Sequence, residues 1–145
     1  MGILLAKILV KPFVDTDIEL QSLLGVSLQD FLNEHGVSAL REAEAKYVES
    51  LLLTDHVIST GGSVIYGERA MASLKKHNRV IYLEISLKTM LARLGDYSRR
   101  GIATDLSDGL EGMYLERKPL YESYADVIID ANQPPEIVLK NILGA

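Results

Sequence analysis

Cysteine and tryptophan are absent from the 145 residues, and proline occurs only four times. Without cysteine, disulfides and thiolate chemistry are excluded. No apolar run approaches the length of a membrane span. The start, MGILLAKILVKPF, shows no small-residue cleavage site, so no secretory leader is expected and a cytosolic protein is the default. Basic residues are outnumbered 15 to 20, giving a net charge of −5. That argues against nucleic acid or an anionic membrane as partner, while a local basic pocket stays possible. His35, His56 and His77 stand apart, with no H-x-H or HExxH spacing, so a zinc site is not expected. Repeats and low-complexity tracts are not visible. What remains is ordinary for one globular domain with a real core: 48% apolar and 24% charged residues.

Short apolar stretches alternate with helical ones. Residues 3–10 fit a buried helix end, stopped by Pro12. Residues 12–14 fit a strand, after which Asp15 or Thr16 caps a helix to about Leu23. Gly25 breaks that helix, Ser27 starts another with Asp30 three residues on, and Gly36 interrupts it. An amphipathic helix is expected over 38–53, with Leu40, Ala43, Tyr47 and Leu51 on one face. Strands are expected at 56–60, 79–83 and 125–129, and helices at 66–77, 86–94, 110–121 and 134–143. The strands are apolar throughout rather than alternating, which implies a parallel sheet covered by helices on both sides, an α/β fold. Residues 95–109, GDYSRRGIATDLSDG, form a long polar and glycine-rich loop of the kind that serves as a lid.

In such folds ligands sit at the carboxyl ends of the strands. Asp15 and Asp17 fall there, in FVDTD. One acid can hold a hydrated Mg²⁺ and the other can take a proton from a hydroxyl; helix capping accounts for the pair equally well. Gly61 and Gly62 follow the second strand, where paired glycines admit a ligand close to the backbone or simply make a tight turn. Arg41 has Glu44 three positions on, the spacing of a surface ion pair. Arg99 and Arg100 lie in the lid, where a solvated charge pair is the plain reading. Arg117 precedes Pro119, and a proline inside a helical pattern predicts a kink or stop, with the arginine turned inward or capping carbonyls.

The order of these features is more specific than any one of them. FVDTD, a helical R-x-x-E, STGG after a strand, an arginine-bearing lid and ERKPLYESYAD together closely resemble shikimate kinase, over roughly residues 4–142. The resemblance implies a P-loop kinase of the nucleoside-monophosphate-kinase type that moves the γ-phosphoryl group of ATP to the 3-hydroxyl of shikimate, in aromatic amino acid biosynthesis. It implies Asp15 for Mg²⁺ and Asp17 for the accepting hydroxyl, as base. It implies Arg41 and Arg117 for the substrate carboxylate, with Gly61 and Gly62 wrapping the substrate. Arg100 matches the lid arginine that contacts phosphates, and Arg93 the arginine near adenine. A monomer with ATP and Mg²⁺ as cofactors is expected. A shikimate-like carboxylate-binding module without catalysis, and a kinase of the same fold for another small hydroxylated acceptor, are the alternatives.

Four departures stand out. Val37 and Leu40 replace the family's glutamate and phenylalanine before the substrate arginine; Ser63 replaces the third glycine; and the lid reads RRGIA where RPLL is usual. The family's first strand and its GxxxxGK[ST] loop, about 15 residues, have no counterpart here. MGILLAKIL matches only the helix that follows them. The missing strand is the central one, so its neighbours are expected to face each other across about 9–10 Å with unpaired backbone groups between them. Such a sheet is expected to be poorly stable unless it closes or another chain fills it. Little or no kinase activity is expected of these 145 residues. The retained acids and arginines favour a start assigned downstream, or a shortened chain, over an evolved loss.

Overall fold

The computed structural model describes residues 1–94 and 109–145. Four short strands, β1 (Phe13–Asp15), β2 (Val57–Ser59), β3 (Ile81–Glu84) and β4 (Val127–Asp130), alternate with seven helices. β1 pairs with β2 and β3 with β4, both in parallel. Among the described residues no ladder joins β2 to β3, so the parallel α/β fold stands as two half-sheets with an open seam, as the sequence implies.

Local chemistry sets most boundaries. Asp15 caps α2 (Thr16–Leu24) by accepting hydrogen bonds from the Asp17 and Ile18 N–H groups, and Gly25 ends it at φ 71°. Ser27 caps α3 (Leu28–Ser50), which kinks at Gly36 (φ 83°, ψ 172°), a conformation that costs glycine least. Ser86 accepts from the Thr89 N–H and so caps α5 (Leu87–Leu94). The remaining helices are α1 (Gly2–Leu9), α4 (Glu68–His77), α6 (Gly109–Tyr124) and α7 (Pro135–Gly144), with a 3₁₀ turn at Val64–Tyr66.

Three readings of the sequence need correction. α1 is not a buried helix end: only Ala6 is buried, while Ile3, Leu4, Ile8 and Leu9 are exposed. α3 stops at Ser50, so Leu51 leaves the apolar stripe that Leu40, Ala43 and Tyr47 share with Leu20 and Leu28. Pro119 neither stops nor ends α6, which runs on to Tyr124. The carbonyl that a residue-119 N–H would have bonded belongs to Leu115, itself 62% exposed, so water can satisfy it. The expected lid, 95–109, lies outside the described residues apart from Gly109, the first residue of α6.

Each half has its own core. Val48, Val64, Ile65, Ala70, Met71 and Leu74 pack between α3, α4 and β2, and Ile129, Ala131 and Val138 pack β3 and β4 on α7. α6 ties the halves across the seam. Its Lys118 pairs with Glu84 of β3, and its Tyr121 stacks on Tyr82 at 5.0 Å while donating to the Gly62 carbonyl at 2.7 Å. Leu40, fully buried, anchors α3 on α2. Leu40→Ala is expected to cost about 3 kcal/mol in urea unfolding; a loss below about 1 kcal/mol would mean that this packing is loose.

Candidate functional site

The acids, glycines and arginines meet at the carboxyl ends of β1 and β2, between α2, α3 and α6. The β1–α2 turn carries Asp15 and Asp17. Asp15 spends Oδ1 on the helix cap, so capping is real. The residue still presents Oδ2, for which no hydrogen bond is found among the described residues. Asp17 points the other way. Its Oδ1 is buried with no hydrogen-bond partner among the described residues. Burial, and then the Asp15 charge, push its carboxyl above the usual range.

The turn after β2 brings Gly61 and Gly62 against these groups. The Gly61 N–H donates to Thr16 Oγ1 at 3.2 Å. A Cβ on Gly61 would lie 2.5 Å from Asp17 Oδ1 and 3.0 Å from Glu44 Oε1; one on Gly62 would lie 3.0 Å from the Tyr121 hydroxyl and 3.2 Å from Arg117 Nη1. Close approach of side-chain ends, not backbone conformation, favours glycine here, most strongly at Gly61.

Glu44 is not the partner in a surface ion pair that its spacing from Arg41 predicts. It is 8% exposed, and it accepts a hydrogen bond from the buried Ser63 hydroxyl. Burial, and then the Asp17 charge, push its carboxyl up to about 7, against the pull of Arg117 and Arg41. Arg117 is 6% exposed, so it is turned inward rather than out to solvent.

Tyr66 organises both arginines. The Arg41 guanidinium lies 4.1 Å above its ring and that of Arg117 lies 5.5 Å away. Arg117 Nε donates to the Tyr66 hydroxyl at 3.4 Å, and that hydroxyl donates to Glu116 at 2.7 Å. Sequence reasoning missed Tyr66, because nothing in its local pattern marks it. Tyr121 was legible only as a letter of the ERKPLY motif.

Arg93 sits apart. Its Nη1 donates to the Ala131 carbonyl at 2.9 Å. It borders a cavity of about 430 Å³ whose lining includes Leu83, Ile85, Ala131, Gln133 and Val138, at the carboxyl ends of β3 and β4. Arg99 and Arg100 lie outside the described residues. Among the described residues no group of three or more His, Cys, Asp or Glu side chains forms a metal cage, and no helix is long and apolar enough to cross a membrane.

Parallel strands bring an acid pair, a glycine turn and inward arginines together at their carboxyl ends, where α/β folds bind ligands. A family model described as shikimate kinase matches residues 1–145, and the chain belongs to that family, whose members are ATP-dependent kinases. Shikimate kinase of Aquifex aeolicus is 31% identical over 144 residues, covering 99% of this chain and 85% of that protein. The crystal structure of shikimate kinase from Aquifex aeolicus superposes with a TM-score of 0.83 at 30% identity, covering 98% of this chain and 84% of that one. Shikimate kinase from Acinetobacter baumannii, in complex with shikimate, superposes with a TM-score of 0.89 at 25% identity, covering 98% and 82%.

Gly61→Ala is expected to destabilise the fold by about 1–3 kcal/mol, because the methyl group must displace Asp17. Gly144→Ala, where a Cβ meets nothing within 4 Å, is expected to stay within about 0.5 kcal/mol of the parent. Equal effects in thermal unfolding would remove the close-approach argument.

Proposed function

We propose that the pocket between α2, α3, the Gly61–Gly62 turn and α6 holds shikimate for phosphorylation at its 3-hydroxyl. The observation that carries this reading is the convergence of Arg41 and Arg117 on Tyr66, together with a buried carboxylate oxygen of Asp17 that has no hydrogen-bond partner among the described residues. Two guanidinium groups suit one carboxylate, because their planar donors match its two oxygens. Asp17 Oδ1 is the natural acceptor for the hydroxyl proton, and its raised affinity for protons favours that role. Gly61 and Gly62 keep the floor of the pocket open. A carboxylated acceptor fits this charge pattern better than a phosphorylated one, which would call for more basic groups.

The remaining assignments concern the nucleotide. The cavity beside Arg93 is apolar enough to take a flat purine. Asp15 Oδ2 is available to Mg²⁺, an ion that commonly binds through one or two carboxylates plus phosphates and water. When bound, ATP with Mg²⁺ supplies the transferable phosphoryl group. Arg100, in the lid segment, is assigned to its phosphates by resemblance. The triphosphate finds no GxxxxGK[ST] cradle within these 145 residues. This polypeptide is accordingly read as competent to bind the acceptor and poor at phosphoryl transfer.

Two measurements test this. Calorimetric titration of shikimate should show binding that weakens about 10–100-fold in Arg117→Lys, which loses the planar donor pair; an unchanged affinity would sink the arginine clamp. Shikimate-dependent ADP release by the 145-residue polypeptide should run on the order of 10³-fold or more below that of shikimate kinase of Aquifex aeolicus. A comparable rate would show that transfer does not need the cradle.

A further inference from the structure

Glu44 is the most deeply buried acid of the pocket, and the roles proposed above do not use it. Its Oε2 accepts from the Ser63 hydroxyl, and its Oε1 lies on the Gly61 side, where both it and Asp17 Oδ1 come within 3.0 Å of one point. The charged and titratable groups facing it among the described residues are Asp17 from α2, Arg41 from its own helix, and Arg117 and Tyr121 from α6. Two acids and two guanidinium groups balance only while no ligand is present. A ligand carboxylate adds a third negative charge to a poorly solvated space, and Glu44, the more deeply buried of the two acids, is the one that can give up its charge.

We propose that Glu44 is a proton-linked positioning residue: as a neutral acid it leaves Arg41 and Arg117 to the ligand carboxylate, and as a carboxylate it competes for them. Ser63 fixes which oxygen does so. Its hydroxyl holds Oε2, an anchor that a glycine at this position would not provide. The inference rests on the reading that this pocket binds shikimate.

The sign follows from the charges. Glu44 in the free protein titrates at about 7. The ligand's negative charge favours the protonated acid, so binding takes up a proton and weakens as pH rises through and above 7. A bound-state shift of about one unit corresponds to an affinity about ten-fold weaker at pH 9 than at pH 6, with roughly half a proton taken up near pH 7.5.

The test is calorimetric titration of shikimate into the chain between pH 6 and 9, in two buffers of different ionisation enthalpy. The parent should show the ten-fold weakening and the proton uptake. Glu44→Gln should bind without pH dependence or uptake. Ser63→Gly removes a donor that favours the ionised form, so its weakening should begin at higher pH. Constant affinity without uptake in the parent overturns the role of Glu44 and leaves the acceptor pocket standing. A pH dependence that survives in Glu44→Gln assigns the proton elsewhere and also overturns it, as does loss of binding in a folded Glu44→Gln. Absence of binding at every pH overturns both readings. If Glu44→Gln does not fold, the parent's buffer dependence and Ser63→Gly decide.

Discussion

Charge held out of water is the constraint on which the site depends. Asp17, Glu44, Arg41 and Arg117 share one pocket, and none of them is on an open surface. Burial and the Asp17 charge raise the cost of ionising Glu44, and the two guanidinium groups lower it. The result is a set of groups that cannot be changed one at a time. The aromatic ring of Tyr66 serves the same end, since a cation against a ring face keeps its charge compensated without a second acid. Ser63 supplies a donor to the Glu44 carboxylate, and Thr16 supplies an acceptor to the Gly61 N–H.

That concentration of polar groups is carried by an architecture with little continuous sheet. Two parallel pairs, each three or four residues long, bury their apolar faces against separate sets of helices. The ladder gives no cohesion across the seam, so cohesion comes from side chains. Lys75 reaches both the Tyr124 carbonyl and the Asp126 carboxylate, and Asp126 in turn accepts from the Val80 N–H. These contacts and the Lys118–Glu84 pair lie close to water, so they orient the halves more than they stabilise them. The Tyr82–Tyr121 stack is the apolar part of the tie.

Much of this was legible in the sequence because it depends on local rules. A serine or aspartate before a helix, a glycine after it, and a glycine with positive φ inside it are decided by the backbone of a few residues, and Asp15, Gly25, Ser27 and Gly36 behave accordingly. The α/β class was legible from continuous apolar strands. Arg41, Arg117, Gly61 and Gly62 were legible as motif letters, and the fold brings them together. What could not be read was anything set by packing across the chain. Glu44 at i+3 from an arginine has the pattern of a solvated pair, and only the turn at Ser63 buries it. Tyr66 lies in a 3₁₀ turn whose direction is fixed by α4 and α6, not by its neighbours in sequence. Pro119 should break a helix by its own geometry, yet Leu115, whose carbonyl it leaves without that donor, is 62% exposed and the helix continues. α1 has an apolar composition that suggests burial, but no described element covers most of it.

One feature of α6 carries a mechanical meaning. Arg117 and Lys118 are adjacent, so the residue proposed to hold the acceptor and the residue that pairs with Glu84 of β3 share one turn of helix. Tyr121, one turn on, touches the glycine turn with its hydroxyl and the other half of the molecule with its ring. A ligand held by Arg117 therefore also holds the helix that spans the open seam. An acceptor bound as proposed would act as a clasp across the two halves, and the protein with its acceptor bound should be a stiffer body than the empty one.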